Sequence, residues 1–327
     1  MRFIATLFVL LNAIMLCGGE LTKVTFCPQW YPQAQFAGYY VAKKSGLYAK
    51  YGLEVDIKFT PPQKSVVESL PEGKADFASD FLATGLTLRA KGLKIVNICQ
   101  LSQESALAIA VEQDKSGISK LSDLAGRRIA IFPSYFKMEP VSFLKLKGIK
   151  ADLIPVSSGI ELYIWNGVDA LTVMYYNEYN MMVESGINQK DIKLFYLKDH
   201  GYNIPEDGIY CSEKMLKEKP EVCRRFVLAS LEGWKEAFKH KEKALKTVKQ
   251  YMDKEHLPYS KTHQMWMLNA MEKLFKKPPG QQLRLTSKQC DLTFKLLNDG
   301  GFIKKKPDFS KFYQPVVKEY NLTENKK

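Results

Sequence analysis

Trp30, Gln33, Gln35, Phe36 and Tyr39 crowd into the start of one stretch, Trp30-Tyr-Pro-Gln-Ala-Gln-Phe-Ala-Gly-Tyr-Tyr-Val-Ala. An aromatic side chain offers a flat face to a ring, and a glutamine both donates and accepts hydrogen bonds. Such a set suits reversible capture of a small, flat, polar molecule. Trp30 and Phe36 would serve equally well as core residues.

A second group falls at the ends of expected strands. Ser79, Asp80 and Phe81 follow a short strand at 76–78. Asp80 would accept from an amine or a ring N–H, or cap the helix expected at 82–90. Ser102, Gln103 and Ser105 lie where the chain would pass between two lobes. Pro133, Ser134 and Tyr135 follow the strand at 128–131, where helix N–H groups could receive an anionic group. Tyr175-Tyr-Asn-Glu-Tyr follows the apolar strand 170–174, so its side chains emerge at a carboxyl end. Glu178 there would accept from an amino-substituted ring, or sit solvated in a first helical turn. Asp207 is a further candidate near a second crossing.

Catalysis finds little support. His200, His240, His256 and His263 stand beside no convincing nucleophile, and there is neither a Gly-x-Ser-x-Gly elbow nor a Walker loop. No cofactor or metal site is expected. The cysteines after residue 19, Cys27, Cys99, Cys211, Cys223 and Cys290, form no CxxC pair. Their odd number leaves at least one thiol outside any disulfide, and the sequence fixes no pairing.

These candidates need elements to carry them. Short β-branched and apolar runs predict strands at 24–26, 55–59, 76–78, 95–99, 107–111, 128–131, 153–156, 170–174 and 192–196. Helical patterns fall between them, at 37–45, 65–70, 82–90, 138–147, 159–165 and 179–185. This alternation predicts an α/β fold with mostly parallel sheet. Glu72-Gly-Lys-Ala-Asp and Asn166-Gly-Val-Asp-Ala echo one another, which suits two similar lobes. Beyond residue 213 the pattern is helical and amphipathic, broken at Pro278-Pro-Gly and Gly300-Gly.

The first nineteen residues have the form of a signal peptide: Arg2, an apolar core at 3–16, then Cys17-Gly-Gly. Cleavage before Glu20 is expected, with lipidation at Cys17 as the alternative. A net charge of +13 comes from scattered basic residues with no nucleic-acid motif beside them, so it is expected to form a solvated surface.

Residues 30–42, 46–56, 116–131 and Asn166-Gly-Val-Asp-Ala-Leu-Thr-Val-Met-Tyr-Tyr-Asn-Glu-Tyr, with Asp199-His-Gly-Tyr-Asn-Ile-Pro-Glu-Asp-Gly, resemble the NMT1/THI5-like family of substrate-binding proteins. The resemblance covers roughly 24–231. It implies a two-lobed type II periplasmic-binding-protein fold, with a ligand cleft between the lobes and a helical C-terminal region. It also places Asn177 and Glu178 in the ligand region. Phe36 stands where pyrimidine receptors of the family tend to carry a histidine.

The expectation is therefore an extracytoplasmic solute-binding protein of an ABC importer. Residues 1–19 would be the signal, 20–103 the first part of lobe 1, 104–198 lobe 2, and 199–327 the completion of lobe 1. Its partners would be a small heteroaromatic ligand, of the thiamine pyrimidine precursor type, and an inner-membrane permease; a monomer is expected. A sensory ligand-binding module and a pyrimidine-synthesising enzyme of the THI5 type are the alternatives.

Overall fold

A computed structural model describes residues 20–59, 65–277 and 282–322. The signal segment with Cys17, and the Pro278-Pro-Gly break, lie outside the described residues. Four strands come first: β1 (Thr22–Cys27), β2 (Leu53–Ile57), β3 (Phe77–Phe81) and β4 (Ile95–Gln100). Five more follow: β5 (Leu107–Glu112), β6 (Arg128–Ile131), β7 (Asp152–Pro155), β8 (Ala170–Met174) and β9 (Ile192–Tyr196). A tenth, β10 (Asp207–Ser212), returns to the first group.

The strands form two five-stranded sheets, ordered β2-β1-β3-β10-β4 and β7-β6-β8-β5-β9. In the first, β1 pairs in parallel with β2 and β3, while β10 runs antiparallel between β3 and β4. In the second, β6 pairs in parallel with β7 and β8, while β5 runs antiparallel between β8 and β9. The reversed strand of each sheet is the one that has just arrived from the other lobe. Sequence pattern alone pointed to parallel pairing and left β10 unassigned, because a strand buried on both faces shows no alternation.

The helices used below are α1 (Ala37–Lys44), α2 (Leu82–Ala90), α3 (Met138–Leu146), α4 (Glu178–Glu184), α5 (Pro220–Lys239), α6 (Lys241–Lys254), α7 (Lys261–Phe275) and α8 (Ser287–Gly300). The segment expected as a helix at 65–70 is one turn of 3-10 helix, Val66–Ser69. Close contact between α1 and α5 depends on two glycines. A Cβ on Gly38 would fall 2.2 Å from the Trp234 ring, and one on Gly233 would fall 2.2 Å from the Gly38 carbonyl. Trp234, Phe226, Phe26 and Tyr39 fill the core between these helices and the first sheet. All five described cysteines are buried, and no disulfide joins them.

The chain passes between lobes twice, at 101–106 and 197–206. The two passages are cross-braced. The Glu206 carboxylate accepts from the Ala106 amide at 2.5 Å and the Ser105 hydroxyl at 3.2 Å. The Glu206 amide donates to Ser102 Oγ at 2.7 Å, and the Ser105 amide donates to Asn203 Oδ1 at 2.9 Å.

Candidate functional site

The carboxyl ends of β1, β3, β6 and β8 converge on a cleft between the sheets. After β1 ends at Cys27, Pro28 and Pro32 keep the chain out of helix until the 3-10 turn Ala34–Phe36 leads into α1. This loop sets Gln29, Trp30, Gln33 and Gln35 against the cleft.

The floor is a ladder of amides and hydroxyls. Ser79 Oγ donates to Gln29 Oε1, and Gln29 Nε2 donates to Asp207 Oδ1. Gln35 Nε2 donates to the same Asp207 oxygen at 3.1 Å and to the Tyr176 hydroxyl at 3.1 Å. Gln33 Nε2 donates to Gln35 Oε1 at 2.8 Å. Each amide is thereby held in one orientation.

The wall is aromatic and spans both lobes. The Trp30 ring is met edge-on by Phe132 at 6.0 Å and by Phe136 at 5.1 Å. Phe81 meets Phe136 at 5.5 Å, again edge-on. Tyr135 donates its hydroxyl to Glu68 across the cleft mouth at 2.9 Å. The lobes also meet on both flanks. On one side Met138 of α3 packs with Ala83 of α2 and Leu297 of α8. On the other, Trp266 of α7 donates to the Tyr175 carbonyl at 3.1 Å.

The far wall comes from the start of α4. Glu178 Oε2 accepts from the Met174 amide at 2.8 Å, and Oε1 accepts from Asn177 Nδ2 at 2.7 Å. His263 stands behind. Its Nδ1 lies 3.0 Å from Asn180 Nδ2, which can only donate, so Nε2 carries the proton shared with Asn177 Oδ1 at 3.0 Å. Burial lowers the His263 pKa, in keeping with a neutral ring.

Five buried carboxyls surround the cleft. Burial pushes Asp80 up to about 7, Glu139 to about 8, Glu178 to about 7 and Asp207 to about 6, and raises Glu206 well above the usual range. Among the described residues, no lysine, arginine or histidine lines the cleft.

The sequence candidates divide three ways. Trp30, Gln33, Gln35, Phe81, Tyr135, Asn177 and Glu178 line the cleft. Ser79, Asp80 and Asp207 lie one layer back. Asp80 takes Ser65 Oγ at 2.6 Å and the Phe81 amide at 2.8 Å, and α2 has no side-chain cap from it. The rest lie elsewhere. Phe36 and Tyr39 are core, Tyr39 against Phe26 and Trp234, because the helix turns them toward the sheet. Gln103 donates to the Gln100 and Ser102 carbonyls, and Ser105 braces Glu206, so both belong to the crossing. Ser134 takes a left-handed backbone, φ 61°, at the cleft rim but does not line it. Tyr175 stacks on Tyr179 and packs on Trp266, leaving its neighbour Tyr176 to face the ligand space.

Sequence reasoning missed Gln29, Phe132, Phe136, Glu139 and Tyr176 on the lining. Phe132 and Phe136 flank the bend between β6 and the 3-10 turn Ser134–Lys137, so neither a helical nor a strand period marks them in the sequence. Glu139, one residue before Pro140 in the first turns of a helix, looks like a dipole-favoured surface acid. His263 reaches the site only through tertiary packing, so no local pattern marks it.

Two lobes joined by paired crossings, with a lined cleft between, define the fold of the periplasmic binding proteins. The chain belongs to the NMT1/THI5 like family, whose model matches residues 33–244. It is 25% identical to the riboflavin-binding protein RibY of Chloroflexus aurantiacus over 236 residues, 65% of this chain and 62% of that protein. The match therefore spans less than two thirds of that relative. It is 26% identical to the formylaminopyrimidine-binding protein of Halalkalibacterium halodurans over 250 residues, 73% of each chain. Its fold matches the periplasmic aliphatic sulphonate binding protein SsuA of Escherichia coli with a TM-score of 0.67 at 15% identity, covering 89% of this chain and 96% of that one. No described helix is long and apolar enough to cross a membrane.

Proposed function

We propose that the protein is an extracytoplasmic solute receptor of an ABC importer. It captures a flat, donor-bearing heteroaromatic ring by closing its lobes around it, and presents the closed form to a permease. Binding favours closure through differential affinity for the two states. One observation carries the reading of the ligand. The cleft combines aromatic walls with fixed amides and buried carboxyls, and no cationic side chain lines it among the described residues. An anion such as a sulfonate would need donors and positive charge there. The names of the two curated relatives, a riboflavin and a formylaminopyrimidine receptor, agree with a ring-shaped ligand.

Calorimetry with formylaminopyrimidine, 4-amino-5-hydroxymethyl-2-methylpyrimidine, riboflavin and the sulfonate MOPS tests this. At least one ring compound is expected to bind in the micromolar range or tighter, with quenching of tryptophan fluorescence, and MOPS is not. Binding of MOPS with no response to any ring would overturn the reading.

A further inference from the structure

Four of the five buried carboxyls are answered by the protein itself. Asp80 has Ser65 and the Phe81 amide; Glu178 has the Met174 amide and Asn177; Glu206 has the Ala106 amide and Ser105; Asp207 has Gln29 and Gln35. Glu139 differs. It is 5% exposed, its side chain lines the cleft, and its Oε2 has no hydrogen-bond partner among the described residues. Glu206 and Asp207 also keep one unpartnered oxygen each, but neither residue lines the ligand space. Glu139 is thus the cleft-lining carboxyl whose buried oxygen the protein itself leaves unanswered among the described residues.

A buried polar group without a partner is costly, and a fold that needed only bulk here would be served by leucine. Glu139 sits on α3 of the second lobe, with the first lobe's Ala83 and Thr84 also lining the cleft. A group held there would touch both lobes at once.

Resting on the reading of the cleft as a receptor for flat rings, we infer that Glu139 is the specificity-determining acceptor of the site. It takes a hydrogen bond from an exocyclic amino N–H of the ligand, so amino-bearing heterocycles are taken in preference to their keto counterparts. Burial pushes the Glu139 carboxyl up to about 8 with no neighbouring cation to offset it, and an entering N–H donor would hold it ionised. A site built to hydrogen-bond one substrate group rejects the analogue that lacks it far better than a hydrophobic pocket separates two shapes.

The test is calorimetry on the mature protein with 4-amino-5-hydroxymethyl-2-methylpyrimidine and its 4-oxo counterpart, using parent, Glu139→Leu and Glu139→Gln. The parent is expected to prefer the amino ring roughly tenfold to a hundredfold, the loss of one charge-assisted hydrogen bond. Glu139→Leu should erase most of that preference while its ligand-free melting temperature stays level or rises. Glu139→Gln, which keeps the shape and a weaker acceptor, should fall between. Equal losses for both rings, unchanged preference in Glu139→Leu, or a lowered ligand-free melting temperature with preference intact would overturn the inference and leave the receptor reading standing. A parent that binds neither ring but does bind MOPS would overturn both.

Discussion

Trp30 stands half-buried where the lobes meet, with two second-lobe rings set nearly perpendicular to it. Such pairs add about 0.5–1.5 kcal/mol each beyond area burial. Trp30→Ala is therefore expected to weaken ring binding roughly tenfold to a hundredfold, while the ligand-free protein still unfolds cooperatively. Titration and thermal melts of the variant check this; unfolding without ligand would make Trp30 a core residue. Glu178 belongs to a different kind of position. Its two oxygens are engaged by the Met174 amide and by Asn177. Glu178→Gln turns one acceptor into a donor facing another donor, so ligand-free stability should drop by about 1–3 kcal/mol. Urea titration reads that directly, and an unchanged midpoint would mean that the carboxylate is not needed to hold the start of α4.

Elements decide which of two neighbours reaches the site. Residue types and strand-end positions were enough to mark Trp30, Gln33 and Gln35, because loops after parallel strands must face the crevice, while the family resemblance added Asn177 and Glu178. Choosing Tyr176 over Tyr175 needed the direction of each side chain, and that depends on how β8 twists into α4. Gln29 was passed over because it lies just before the aromatic loop, although the carboxyl end of β1 is where a ladder of amides is anchored. Glu206 and β10 were illegible for a different reason: their meaning comes from partners about a hundred residues away. The α1–α5 contact gives a sharp test at this scale. Gly38→Ala would drive a methyl group into the Trp234 ring. Overpacking of this kind costs typically 1–3 kcal/mol. Chemical denaturation should show that loss, and full stability would mean the two helices can separate without penalty.

At the scale of the whole molecule, buried carboxyls tie stability to pH. Asp80, Glu139, Glu178 and Asp207 have folded values raised to about 7, 8, 7 and 6, and Glu206 is raised as well. The folded protein thus binds more protons than the unfolded chain above their ordinary values near 4. The stability they confer is present at low pH and is lost as pH rises toward 8. His263 works in the opposite sense: its folded pKa is lowered, so its contribution is lost as pH falls through its ordinary value. The ligand-free melting temperature is expected to decline between about pH 4.5 and pH 8, and a bound amino ring should flatten the decline. Melting curves across that range test it, and a steady rise across it would contradict the burial of these acids.

The reversed strands have a consequence for how the chain comes into being. Every strand of the second sheet lies within 107–196, so that lobe is complete once its own segment has been made. The first sheet is not. β10 sits between β3 and β4, and until it arrives those two strands have nothing to join them. The α1 face likewise waits for α5. The first sheet therefore stays in two parts, β2-β1-β3 and β4, while the next hundred residues are produced, and the second sheet is the first able to complete itself. A fold whose first sheet cannot close without a strand at 207–212 carries its own order of assembly, with the middle lobe ahead of the one that encloses it.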